Sequence, residues 1–337
     1  MIKEAIARLV EGRDLPMEEA AQVMREIMGG EATPAQMAAF LVALRAKGET
    51  VDEIAGLARI MREKAARVAV TGPVVDTCGT GGDSQGTFNI STTAAFVVAG
   101  AGVKVAKHGN RAMSSHCGSA DVLEALGVKI DLGPEGVARC LAEAGVGFMF
   151  AQVFHPAMKF VAPVRREIGI RTVFNILGPL TNPAGAQAQV IGVASPAFGP
   201  KLAQALQRLG ARHVFVVHGA GGLDEISPAG ETQVWETKDG QSREFKISPS
   251  DFGLAKSALA DIKGGTVQEN AQMVRDVLRG KPGPRRDVVV MNAAAALFVS
   301  GHARNLAEGA RQAEESLDSG QAAQKLEALV RVSQAAA

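Results

Sequence analysis

The chain has no tyrosine, one tryptophan and only 4% aromatic residues, too few exposed rings for a base-stacking platform. Its three cysteines, Cys78, Cys117 and Cys140, are an odd number at wide spacings without a CxxC pair, which excludes a disulfide framework. Long apolar runs are missing too: the longest, 94–103, is far short of the ~20 residues a bilayer demands. Excess charge of one sign is also absent. Lys+Arg 36 against Asp+Glu 35 leaves +1, so no global field draws nucleic acid or an anionic membrane, and polyanion chemistry has to be local. The N-terminal stretch carries Glu4 and Glu11 inside an amphipathic pattern, where a secretory leader has an uninterrupted apolar region. A soluble cytoplasmic protein is expected, with no nucleic-acid or membrane partner.

What the chain does have is length, 38 glycines and two distinct textures. Its 337 residues, against roughly 150 per domain, suggest two domains. Residues 1–70 read as helix after helix, with Ile2, Ala5, Ile6, Leu9 and Val10 on one face. Thr33-Pro34-Ala35-Gln36 and Thr50-Val51-Asp52-Glu53 form capping boxes, and Gly48 ends the helix between them. No polar groups converge here, so this segment is expected to pack against the other domain or another subunit. After Gly72-Pro73, short β-rich runs end in glycine loops followed by helical patterns: 73–76, 103–106, 128–131, 146–150, 190–193 and 213–217. That alternation predicts βα units around a mostly parallel sheet, an α/β fold. The stretch 163–185 breaks the alternation and is expected to join the N-terminal helices, giving a helical domain of 1–70 plus about 163–185 beside an α/β domain of 71–337. The Ala-rich tail 333–337 is expected to fray.

Ligands of such sheets sit beyond the carboxyl ends of the strands, and three loops there stand out. The first, 76–83, has Gly79, Gly81, Gly82 and Asp83, followed by Thr87, Asn89, Ser91 and Thr92 at the head of an apolar helix. The glycines permit close backbone approach, and the helix start offers free N–H groups to an anion. The hydroxyls and Asp83 suit either sugar hydroxyls or metal-coordinated water. The spacing fits neither a Walker A loop nor GxGxxG. The second loop, Lys107-His108-Gly109-Asn110-Arg111-Ala112-Met113-Ser114-Ser115, places cations and hydroxyls after a strand end, as a phosphate or pyrophosphate requires. Ser119 opens a further helix and offers another anion-binding start. The third loop, 218–225, ends in Asp224-Glu225, adjacent carboxylates suited to Mg²⁺ bridged to substrate phosphates.

The ordered motifs Cys-Gly-Thr-Gly-Gly-Asp (78–83), Asn-Ile-Ser-Thr (89–92), Lys-His-Gly-Asn-Arg (107–111), Gly-Ser-Ala-Asp (118–121), Gly-Pro-Leu-Thr-Asn-Pro (178–183) and Asp-Glu (224–225) resemble the anthranilate phosphoribosyltransferases. Thr-Pro-Ala-Gln (33–36) and Lys-Gly-Glu-Thr (47–50) resemble that family's helical domain, so the likeness runs through nearly the whole chain. The chain departs from the family pattern at His116-Cys117, with Ala112-Met113 before the serines.

The resemblance implies a homodimer joined through the helical domains. It also implies transfer of the phosphoribosyl group of 5-phosphoribosyl 1-diphosphate (PRPP) to the amine of anthranilate, with inversion, on the route to tryptophan. An oxocarbenium-like transition state needs a stabilised leaving diphosphate and an aligned amine rather than a covalent nucleophile, and no general acid or base is assigned. The implied PRPP residues are Gly79, Gly82, Asp83, Thr87, Asn89, Ile90, Ser91, Thr92, 107–115 and Ser119. Gly79, Asn110, His155, Arg165 and Gly178 are implied for anthranilate, and Ser91, Asp224 and Glu225 for Mg²⁺, as two ions. A pyrimidine nucleoside phosphorylase is the enzyme alternative. A non-catalytic nucleic-acid-binding relative is the other; it would need a basic groove and would tolerate loss of the metal carboxylates, whereas this chain keeps Asp224-Glu225 and nets only +1.

Overall fold

A computed structural model describes residues 1–112 and 117–336. Four helices open the chain: α1 (Ile2–Val10), α2 (Met17–Gly29), α3 (Pro34–Lys47) and α4 (Val51–Lys64). Both predicted capping boxes form, with Thr33 and Gln36, and Thr50 and Glu53, each satisfying the other's backbone N–H. Glu53 does more than cap. Fully buried, it also accepts from the Leu15 N–H at 2.9 Å and pairs with the Lys47 ammonium at 3.0 Å, tying three segments of the bundle together. Ile2, Ala5 and Leu9 are buried as expected, whereas Val10, at the edge of that stripe at 100° per residue, is 74% exposed.

The rest of the chain builds one seven-stranded sheet: β1 (Val75–Asp76), β2 (Val105–Gly109), β3 (Val146–Phe150), β4 (Ala188–Gly192), β5 (His213–Gly219), β6 (Thr232–Lys238) and β7 (Gln241–Ile247). The order is β3-β2-β1-β4-β5-β6-β7; the first five strands pair parallel, and β6 runs opposite, pairing antiparallel with both β5 and β7. Two departures from the sequence reading are instructive. Residues 128–131 alternate buried and exposed side chains like a strand, but the Lys129 N–H bonds the Ser333 hydroxyl of the last helix at 3.1 Å, not a neighbouring strand. Where fraying was expected from 333 onward, the helix Gln321–Ala335 continues to Ala335 and buries Leu329, Val332 and Ser333.

The sheet separates two apolar cores. Along β5, Phe215 and Val217 point into one, formed with the helices that cross the sheet, such as α5 (Ile90–Gly100) and Pro284–Val299. Val214 and Val216 point into the other, shared with Leu44, Ile54 and Leu57 of the bundle and with Val164, Phe174, Leu177 and Leu180. The period of two along a strand thus joins the bundle to one face of the sheet. The segment that breaks the βα alternation packs beside the N-terminal helices.

Candidate active site

Strand order reverses beside β1, which has β2 on one side and β4 on the other; a crevice opens there at the carboxyl ends of the strands. The Thr80 N–H donates to the Gly192 carbonyl at 2.8 Å, so the glycine loop after β1 is stitched to the end of β4 across this switch point. Gly192 was not singled out from the sequence, yet a Cβ there would lie 1.4 Å from the Asp224 carbonyl oxygen. Only a glycine lets the 224–225 backbone press flush against β4.

The crevice has a volume of about 360 Å³. Its walls bring together Gly79, Gly82, Asp83, Thr87, Asn89, Ile90, Ser91 and Thr92 with Lys107, His108, Gly109, Asn110, Arg111, Ala112 and Ser119. Arg165, Gly178, Asp224 and Glu225 line the same space. Met113, Ser114, Ser115 and His116 lie outside the described residues. His155 is not on the wall; it stands behind His108.

The expected free N–H groups are largely taken by the protein's own carboxylates. Gly81 N–H donates to Asp224 Oδ2 at 2.8 Å, and Ser91 N–H, in the first turn of α5, donates to Glu225 Oε1 at 3.2 Å. At the start of α6 (Ser119–Ala125), Asp121 Oδ2 accepts from the N–H groups of Gly118 and Ala112 at 2.9 and 3.0 Å. Both helix starts read as anion sites therefore already face a side-chain anion, as their positive ends favour. The cations are engaged as well. Arg111 reaches Asp121 and Glu124 at 2.9 and 2.8 Å, and the buried Lys107 ammonium donates to the Thr77 carbonyl at 2.6 Å.

Asp83, Asp224 and Glu225 form the electrostatic centre. Burial, then the nearby Asp83 and Glu225 carboxylates, hold Asp224 well above the usual carboxylate range. Burial pushes Glu225 to about 7 against the opposing pull of Lys107. Such an all-oxygen cluster suits a hard divalent cation, whose charge would relieve the repulsion. Among the described residues no three His, Cys, Asp or Glu side chains converge to enclose an ion. Asp224 and Glu225, adjacent carboxylates lining the crevice, fit Mg²⁺, which keeps several waters and binds through one or two carboxylates and substrate oxygens. Asn89 Oδ1 is a further orphan acceptor, buried and unpartnered among the described residues. Burial pushes the Cys78 thiol well up, leaving it no nucleophile at neutral pH.

Sequence reading missed Arg171, Phe174 and Asn175 in the opposite wall. Arg171 Nη1 donates to the Gly82 carbonyl at 3.2 Å, and the Arg165 guanidinium lies 5.5 Å from the Phe174 ring centre. Their side chains come from the segment between β3 and β4, whose approach to the first loop has no local signature. The Gly178 carbonyl accepts from Thr181 Oγ1 and His108 Nδ1, and Asn182 Nδ2 bonds both Asp76 Oδ2 and the Ala106 carbonyl. The 178–183 motif thereby clamps β1 to β2.

Residues 71–323 match the a/b domain of a glycosyl transferase family, and residues 3–65 match its helical bundle domain. The chain is 58% identical to an anthranilate phosphoribosyltransferase of Dehalococcoides mccartyi, covering 100% of this chain and 99% of that relative. The crystal structure of the Thermus thermophilus anthranilate phosphoribosyltransferase superposes with a TM-score of 0.93 at 48% identity, over 98% of this chain and 99% of that one. The Saccharomyces cerevisiae enzyme in complex with PRPP and Mg superposes at 0.90 and 31% identity, over 99% and 98% of the two chains. A crevice at the switch point, lined by the glycine loop and by Asp224-Glu225, and likeness along the whole chain together make this protein a member of the anthranilate phosphoribosyltransferase family of glycosyl transferases.

Proposed function

We propose that this enzyme transfers the phosphoribosyl group of PRPP to the amine of anthranilate, releasing diphosphate with inversion at the anomeric carbon, in tryptophan biosynthesis. The observation that carries the reading is the meeting, in one crevice, of the Asp83–Asp224–Glu225 cluster and the Arg165–Phe174 pair. Asp224 and Glu225, with Ser91 beside them, would hold Mg²⁺, as two ions, and the metal supplies Lewis-acid stabilisation of the departing diphosphate. The glycine loop and Lys107 bind and orient PRPP. Arg165, partly desolvated and packed on an aromatic face, suits a benzoate: a guanidinium for its carboxylate and a flat apolar surface for its ring. Asn110 and the Gly178 turn complete that slot. An aromatic amine is neutral near pH 7, so the reaction needs alignment and exclusion of water more than a base.

The reading includes a helical domain of 1–70 with 163–185, an α/β domain of 71–337, a cytoplasmic location and a homodimer through the N-terminal helices. Val10 and Val42, exposed on α1 and α3, support that interface. The test mixes protein, PRPP, Mg²⁺ and anthranilate, following loss of anthranilate fluorescence and diphosphate release together. Equal, Mg²⁺-dependent loss of one and gain of the other is expected; no change in either refutes the assignment.

A further inference from the structure

A second cavity, of about 470 Å³, opens at the opposite end of the sheet, where β1, β2 and β4 begin. Its wall comes from the turns that lead into those strands and from 300–302, after the helix Pro284–Val299. Because it faces the amino ends of the strands, the reaction proposed for the first crevice makes no use of it.

The lining is chemically one-sided. Lys104, Arg212 and His302 face it, and none of the described residues lining it is acidic. Val74, Val103 and Ala188 supply apolar surface between the basic groups. Lys104 Nζ donates to the Thr71 carbonyl at 3.0 Å and Arg212 Nη2 to the Ser300 carbonyl at 3.4 Å. These carbonyls anchor the two cations without neutralising them, and among the described residues neither side chain has a carboxylate partner. Concave walls bearing one sign of charge concentrate the counter-charge, and the volume is that of a small-molecule site. We propose that this cavity binds a small organic anion, a carboxylate, sulfonate or phosphate on a compact apolar or aromatic body, independently of the first crevice.

The probe is 1-anilinonaphthalene-8-sulfonate, an anionic aromatic fluorophore, titrated into the full-length protein alone, with PRPP and Mg²⁺, and with anthranilate. The expected result is a saturable site whose affinity those substrates leave unchanged. Lys104→Glu/Arg212→Glu should weaken it at least tenfold while kcat and both KM values stay within twofold. Displacement of the probe by PRPP or anthranilate overturns the proposal, as does a smaller loss in an active double variant. If charge reversal prevents folding, Lys104→Gln/Arg212→Gln serves instead, and a loss below threefold overturns it.

Discussion

His155 Nε2 stands 3.2 Å from His108 Nε2, and His108 Nδ1 stands 3.1 Å from the Gly178 carbonyl. A carbonyl only accepts, so His108 carries its proton on Nδ1. Its Nε2 is then a lone pair that accepts from His155 Nε2–H, leaving His155 Nδ1 a buried acceptor without a partner among the described residues. The pair is a wire of fixed tautomers running from the core to the turn that lines the crevice.

Burial, then the neighbouring His155, depresses His108 to about 3, and burial depresses His155 to about 4. Both are neutral in the native state while the unfolded chain protonates them below about 6.5. Their contribution to stability is therefore present above that pH and lost as pH falls toward 4 and 3. Thermal unfolding should show this acid limb, and His155→Phe should flatten part of it. Nitrogen-15 shifts at pH 6–8 that show either ring charged, or His108 protonated on Nε2, would contradict the tautomer assignment.

The raised carboxylates act with the opposite sign. Glu225, near 7 when folded and 4.5 in its ordinary state, binds more protons native than unfolded, so its contribution declines as pH rises from about 4.5 through 7. Mg²⁺ needs the ionised form, so stabilisation by Mg²⁺ should be larger at pH 8 than at pH 5.5. Thermal shifts with and without MgCl₂ measure this difference. Asp224→Asn/Glu225→Gln should abolish the difference and lower Mg²⁺-dependent turnover while the fold persists; equal shifts in parent and variant would remove these residues from the metal site.

Arg165→Ala should cost roughly 2–5 kcal/mol of anthranilate binding, the range for truncating one partner of a desolvated charge pair. Arg165→Lys should recover part of that, lacking the planar fork. Steady-state kinetics decide it: an anthranilate KM within twofold of the parent, with a raised PRPP KM, would place Arg165 on the phosphate side.

The glycines separate two kinds of damage. A Cβ at Gly79 would lie 3.1 Å from Asp224 Oδ2 and 3.3 Å from the Gly192 carbonyl, so Gly79→Ala should act through a displaced carboxylate and raise the Mg²⁺ half-saturation. Overpacking of this kind costs about 1–3 kcal/mol. Gly192→Ala meets backbone at 1.4 Å and should cost more than about 4 kcal/mol of stability, visible in urea unfolding. A Gly192→Ala variant as stable as the parent would show that the two loops are not pressed together.

Five parallel strands, the capping boxes and the crevice-lining loops were legible because each is a local pattern. The β6–β7 hairpin was legible but unread: Asp239-Gly240 has positive φ at both positions, 47° and 81°, the two-residue turn that Asp-Gly favours. Residues 128–131 misled because alternation reports which side chains are buried and not where the backbone bonds. Arg171 and Gly192 were illegible for a third reason, since their roles rest on contacts with Gly82 and Asp224 that only the closed fold creates.

β5 belongs to two cores at once, lending Phe215 and Val217 to one and Val214 and Val216 to the other. Although the chain matches two family domains, neither core can melt without stripping one face of the strand that the other depends on. The two halves should therefore share a single cooperative transition, with the calorimetric enthalpy equal to the van't Hoff enthalpy, and not unfold in two separate steps.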